Sequence, residues 1–253
     1  MGKIAFVFPG QGAQSVGMAR DVYDKLPEAK ALFETADRAL GFDLTKLVFE
    51  GPAEELKQTS NTQPALLTAS LALLEAVKAK GIEADYAAGH SLGEYSALAA
   101  AGVLSFEDAA TTVRARGQFM EEAVPGGRGA MAAVLGAERE KLTELCAEVS
   151  LSGKTVEPAN MNCPGQIVIS GSREGVDEVA SRVKEIGAKR AIPLEVSGPF
   201  HSSLMQEAAE KLGEKLGNVS FGEGKMPVVA NVGARPVSGE SEIRESLVNQ
   251  VSS

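Results

Sequence analysis

Tyr86-Ala87-Ala88-Gly89-His90-Ser91-Leu92-Gly93 sets a serine between two glycines, at the point where a short apolar strand gives way to a helical pattern. A sharp strand-to-helix turn of this kind lifts the serine hydroxyl out of the backbone, and the glycines relieve crowding around it. The Leu92 N–H, at the start of the following helix, then points to where an oxyanion would form on attack. The bland alternative is a glycine-rich turn with a capping serine, since five-residue patterns recur by chance.

Strand and helix patterns alternate outward from this turn. Lys3 to Phe8 reads as a buried strand closed by the loop Pro9-Gly10-Gln11-Gly12-Ala13-Gln14. Helical patterns dominate through residue 123, strongest over Pro64 to Ala79 and Phe106 to Ala123, with Tyr86 to Ala88 as strand and Leu92 to Ala101 as helix. This interleaving predicts an α/β fold with a mostly parallel sheet. Ala130 to Leu135, Val156 to Met161, Gln166 to Ser170 and Arg190 to Val196 read as strands, with helices over Glu138 to Val149 and Arg173 to Ile186. That βαββαβ order is ferredoxin-like. Pro125-Gly126-Gly127 and Ser197-Gly198-Pro199 punctuate its ends, so residues 126–197 are expected as an inserted subdomain, with 1–125 and 198–253 forming the large lobe. His201 to Leu216 reads as a helix opened by His201, Pro227 to Ala230 as a strand of the large sheet, and Glu240 to Val248 as a last helix.

The chain of 253 residues is 44% hydrophobic and 23% charged, enough to bury a core. Ile4 to Phe8 is too short for a signal or membrane segment, so a cytoplasmic protein is expected, with no membrane partner. A net charge of −9 without a basic block argues against nucleic acid. Cys146 and Cys163 lack the spacing of a metal site or redox pair and are expected reduced. Gly10-x-Gly12 is followed by Ser15 where a dinucleotide fingerprint needs glycine, so no cofactor is expected, and one spare histidine with scattered cysteines gives no expectation of a metal.

A serine hydroxyl needs a base, and only two histidines are present. His90 neighbours Ser91 in a turn that directs its side chain elsewhere, which leaves His201, whose ordinary pKa near ~6.5 suits a general base. No acid is placed to orient it; Asp108 and Asp177 fall on surface-facing helices, and a backbone carbonyl could serve instead. Gln11, after the first strand, could lend a second N–H to the oxyanion. Arg116 is the most telling charge: at about 100° per residue it falls mid-stripe among Ala109, Val113, Met120 and Ala123, whereas Arg114 points away. A guanidinium on an apolar face requires an anion, either a protein carboxylate or a ligand carboxylate held in a bidentate fork.

Six stretches together resemble the malonyl-CoA:acyl carrier protein transacylases of type II fatty acid synthesis, and more broadly polyketide-synthase acyltransferase domains. They are Phe8 to Gln14, Asn61-Thr62-Gln63-Pro64-Ala65, Gly89 to Tyr95, Arg116-Gly117 with Met120, Asn160 with Gln166 to Gly171, and Gly198-Pro199-Phe200-His201-Ser202. The resemblance runs from Met1 to Gln250. It implies that Ser91 carries malonyl from malonyl-CoA as an ester to the pantetheine thiol of acyl carrier protein, with His201 as base and then acid. It further implies an oxyanion hole from Gln11 and Leu92, a carboxylate clamp at Arg116, and Gln63, His90, Met120, Asn160 and Phe200 around the substrate. Phe200 resembles the malonyl-preferring form of its motif, and a carbonyl near Gln250 is implied as the orienter of His201. A free-standing monomer is expected, with Lys184, Lys189 and Arg190 as the carrier-docking patch.

Family members continue past the position of Ser253, so a shortened end, fraying near Gln250 and weakened activity or stability are also expected. A serine thioesterase and a catalytically silent acyl-CoA or carrier-binding module are the rival readings. The thioesterase would place an acid between serine and histidine.

Overall fold

The computed structural model describes residues 2–124, 126–196 and 198–253; Pro125 and Ser197, expected at the subdomain boundaries, lie outside the described residues. The chain divides into two compact units, Met1–Gln118 with Leu212–Leu247 and Phe119–Lys211 with Val248–Ser253.

In the first unit, β1 (Ala5–Phe8) is followed by α1 (Arg20–Lys25), α2 (Pro27–Leu40), α3 (Leu44–Glu50), α4 (Ala53–Leu56) and α5 (Thr59–Lys78). Then come β2 (Tyr86–Gly89), α6 (Gly93–Ala100) and α7 (Phe106–Ala123), the last continuing into the second unit. Ala29, Phe33 and Ala36 place the apolar stripe of α2 against a core that holds Leu44, Val48, Leu56 and Ala65.

The helix expected from Pro64 starts five residues earlier, at Thr59, so Pro64 lies inside it. Proline cannot donate to the carbonyl four residues back, which belongs to Ser60. Arg114 Nη1 takes that place, donating to Ser60 O at 2.8 Å and also to Asn61 Oδ1, with its guanidinium 4.7 Å from the Phe42 ring. Arg114 is therefore no solvent-facing charge; it mends the helix where the proline breaks the ladder. A Cβ on Gly117 would lie 2.7 Å from Ser60 Cα, so the glycine permits close approach of α7 to α5.

β1 and β2 run parallel with Phe8 opposite Gly89. β2 runs parallel to β7 (Val228–Val229) with Ala88 opposite Val229, and β8 (Pro236–Val237) closes the sheet antiparallel to β7. The loops after β1, β2 and β7 carry Gln11, Ser91 and Asn231. Three neighbouring parallel strands thus deliver three polar side chains to one end of the sheet.

The second unit contains β3 (Gly129–Leu135), α8 (Arg139–Leu151), β4 (Val156–Cys163), β5 (Gln166–Ser172), α9 (Arg173–Arg182) and β6 (Arg190–Pro193). Its sheet has the order β4-β5-β3-β6, antiparallel throughout. Alternate residues Ala132, Val134, Ile167 and Ile169 share one core with Leu142, Leu145, Val149, Val176 and Val179 from the two helices. Ser172 Oγ accepts from Gly175 N–H and caps α9, whose last turn tightens into a 3₁₀ segment over Val183–Ile186. β6 ends at Pro193, short of the expected Val196.

Two further helices bridge the units in sequence. α10 spans Gln206–Leu216, preceded by a 3₁₀ turn at Ser203–Met205, and α11 spans Glu240–Ser252. His201 accordingly does not open a helix. Its φ of 58° is left-handed, which helical continuation excludes.

Candidate active site

Ser91 stands between β2 and α6 with φ 52°, a conformation that costs a residue bearing a Cβ roughly 1–2 kcal/mol. The flanking glycines are demanded by contact. A Cβ on Gly89 would fall 1.9 Å from the Gly93 carbonyl oxygen, and one on Gly93 would fall 2.6 Å from that of Phe8. His90 N–H donates to Phe8 O at 3.0 Å, tying the turn to the end of β1. His90 itself is exposed, and the Leu92 side chain is buried. Among the described residues, neither the Leu92 nor the Gln11 N–H meets an acceptor, and the Gln11 amide donates to Thr59 Oγ1 at 3.2 Å.

Arg116 is 1% exposed, as its place on the apolar stripe of α7 predicts. Its Nη1 donates to Gln63 Oε1 at 2.8 Å and its Nη2 to Ser91 Oγ at 3.0 Å. Gln63 is 1% exposed on α5, so the close α5–α7 contact is what sets the fork. Burial pushes the Arg116 guanidinium below its ordinary range, while Tyr95 and Glu94 push it back up. The Tyr95 ring lies 5.9 Å from the guanidinium, and burial holds its phenol well above the usual range.

Glu94 and Asn231 escaped the sequence reading. Glu94 is fully buried in the first turn of α6, where a helix N-terminus favours a carboxylate. Its Oε2 accepts from the Asn231 N–H at 2.9 Å and from Asn231 Nδ2. Asn231 Nδ2 also donates to Gly89 O at 2.8 Å, and Asn231 Oδ1 accepts from the Ser91 N–H at 3.1 Å. A carboxylate inside Gly93-Glu94-Tyr95-Ser96-Ala97-Leu98 was a signal of the same kind as Arg116. Asn231 had a weaker one, its position after a parallel strand.

In the second unit, His201 Nδ1 lies 2.6 Å from Gln250 O. A carbonyl only accepts, so Nδ1 carries the proton and Nε2 holds the lone pair of the neutral ring. Gln250 lies inside α11 and is 1% exposed. The His201 turn is pinned by Ser202 Oγ donating to Pro199 O at 2.7 Å and by Ser203 N–H donating to Glu157 Oε2 at 2.9 Å. Phe200 and Met120 are buried at 5% and 1% exposure, and Asn160 is half-buried on β4 opposite Val168.

Residues 5–250 match the acyl transferase domain family. The chain belongs to this family. It is 56% identical over 251 residues to the malonyl CoA-acyl carrier protein transacylase of Bacillus subtilis, an alignment covering 99% of this chain and 79% of that protein. The solved malonyl CoA-acyl carrier protein transacylase of Coxiella burnetii superposes with a TM-score of 0.96 at 43% identity, over 99% of this chain and 79% of that one. A malonyl-transacylase solved in complex with a type II polyketide-synthase acyl carrier protein gives 0.95 at 45% identity, over 99% of this chain and 81% of that one. Acyltransferase chemistry requires a nucleophile, a proton carrier and polar groups for the acyl unit. Within the first unit Ser91 stands beside a buried cation, and within the second the His201 ring has a fixed tautomer.

Proposed function

We infer that this malonyl-CoA:acyl carrier protein S-malonyltransferase works by a ping-pong exchange through a seryl ester on Ser91, supplying malonyl units for fatty acid synthesis. Ser91 Oγ attacks the thioester carbonyl of malonyl-CoA while His201 Nε2 takes its proton. The Leu92 and Gln11 N–H groups hold the oxyanion, coenzyme A departs as the thiol with the proton from His201, and the ester remains. The carrier's pantetheine thiol then gives its proton to His201 and attacks the ester, and collapse of the second oxyanion leaves the malonyl-carrier thioester while His201 returns the proton to Ser91 Oγ.

One observation carries this reading: a buried Arg116 donates to Ser91 Oγ, so a cation is stationed at the nucleophile itself. An acyl group bearing its own carboxylate satisfies that cation in a bidentate fork, and an acetyl group does not. Gln63 aims the guanidinium. His90, Met120, Asn160 and Phe200 complete the substrate surroundings in this reading, with the Phe200 ring excluding an α-methyl branch.

The strand-to-helix turn at Ser91 is read as a hydrolase-type nucleophile elbow, and the βαββαβ unit as a ferredoxin-like subdomain inserted over 126–197 between 1–125 and 198–253. Exposed Lys184, Lys189 and Arg190 are proposed to meet the acidic carrier. Among the described residues no helix is long and apolar enough to cross a membrane. A cytoplasmic monomer working without metal or organic cofactor completes the proposal.

Intact mass measured after incubation with malonyl-CoA tests it. A malonyl adduct that carrier protein removes, and that Ser91→Ala abolishes, is expected. Steady hydrolysis without carrier, or binding with no adduct, would overturn it.

A further inference from the structure

The turn that presents Ser91 is strained; His90 N–H to Phe8 O and Gly93 N–H to His90 O tie its main chain, and the Ser91 N–H is met by a side chain from another loop. We propose that Asn231 is a positioning residue for the nucleophile, locking the Ser91 backbone through its side-chain amide, with Glu94 fixing which way that amide faces.

The argument is one of donors and acceptors. Ser91 offers a backbone N–H and Gly89 a carbonyl, on either side of His90. One carboxamide satisfies both when its oxygen faces Ser91 and its nitrogen faces Gly89; the flipped amide would set NH₂ against N–H and oxygen against carbonyl. Glu94 removes the ambiguity. Its buried carboxylate accepts from both the backbone N–H and the Nδ2 of Asn231, so only the observed orientation is compatible with it. Glu94 is in the helix that Ser91 introduces, so three points of the turn, Gly89, Ser91 and Glu94, converge on one side chain from the loop after β7. The lock holds the Ser91 backbone from the side of the sheet, while Arg116 engages Ser91 Oγ. Asn231 is itself exposed, so its truncation opens no core cavity, and the role is separable from packing.

The proposal rests on Ser91 being the acylated residue, and wild-type adduct formation checks that separately. Three variants decide it: Asn231→Ala, Asn231→Asp, and Asn231→Asp with Glu94→Gln. The rate of Ser91 acylation at saturating malonyl-CoA, its half-saturation concentration and the melting temperature are measured for each. A misplacement on the order of 1 Å at a reacting atom costs about 10²-fold in rate. Asn231→Ala is therefore expected to acylate roughly 10²-fold more slowly, with half-saturation within about threefold and melting near wild type. Asn231→Asp retains the acceptor for Ser91 but sets oxygen against Gly89 O and the Glu94 carboxylate, and is expected to be at least as slow. Glu94→Gln added to it restores a donor between the two side chains and is expected to recover a measurable part of the rate. Wild-type acylation in Asn231→Ala would overturn the proposal. So would unfolding of both single variants below the assay temperature, or failure of the double variant to exceed Asn231→Asp. Absence of an adduct on wild type would instead overturn the seryl-ester reading.

Discussion

Arg116 is the residue on which the proposed preference for a carboxylated acyl group rests. Its burial is unfavourable in isolation, and removing the partner of a buried charge costs about 3–5 kcal/mol. The Gln63 and Ser91 oxygens accept from it, and the nearby Glu94 carboxylate opposes the effect of burial. A bidentate carboxylate adds two charge-assisted hydrogen bonds, each worth about 1.5–3 kcal/mol. Arg116→Ala is accordingly expected to lower kcat/KM for malonyl-CoA by about 10²- to 10⁴-fold, a figure that follows from those bond energies. The rate with acetyl-CoA should change far less, and Arg116→Lys should fail to restore malonyl preference because an ammonium cannot form the fork. An unchanged malonyl-to-acetyl ratio, measured by carrier acylation, would remove Arg116 from the specificity argument. The wheel singled out this residue because an arginine among Ala109, Val113 and Met120 demands an anion, although it left open whether protein or ligand provides it. It could not find Asn231, since asparagine in a loop is ordinary turn chemistry and the partner in Glu94 lies 137 positions away.

Elements were legible where their period was strong. α7 begins and ends at the expected Phe106 and Ala123, and the βαββαβ order of the second unit appears with boundaries shifted by a residue or a few. The misreadings have local causes. The pattern that starts at Pro64 misses the first turn of the helix because the side chain that compensates for an interior proline, Arg114, comes from far downstream. Arg114→Met, which keeps much of the stem, should isolate that repair: a loss of about 1–3 kcal/mol is expected from the Ser60 carbonyl left behind, read by chemical denaturation. The nucleophile turn is an element in the same sense. Gly89→Ala would force its Cβ against the Gly93 carbonyl, so the strand and helix must part, with acylation falling more than about 10²-fold and melting lowered together. Normal acylation by a well-folded Gly89→Ala would show that the turn tolerates rearrangement.

Stability of the whole molecule carries its own signatures. Cys146, 1% exposed in the core of the second unit, has its thiol pushed up to about 12, first by burial and then by Glu157; Cys163 is exposed. One thiol should react with iodoacetamide in the native protein and two after unfolding. The raised value has a defined sign. The unfolded chain loses the Cys146 proton near its ordinary pKa of ~8.5 while the folded chain keeps it. Stability is thus full below that pH and declines as pH rises toward about 12, a decline that Cys146→Ala should flatten in denaturant titrations.

The left-handed backbone of Ser91 has a consequence for the folding equilibrium as a whole. Ser91→Ala and Ser91→Gly both remove the hydroxyl and its bond from Arg116, but only glycine occupies φ 52° without strain. The glycine variant should therefore melt above the alanine variant by a few degrees, the shift that about 1 kcal/mol gives in a chain of this size. This protein would then be one whose reactive residue lowers its own thermal resistance, an exchange of robustness for reactivity localised to a single torsion angle.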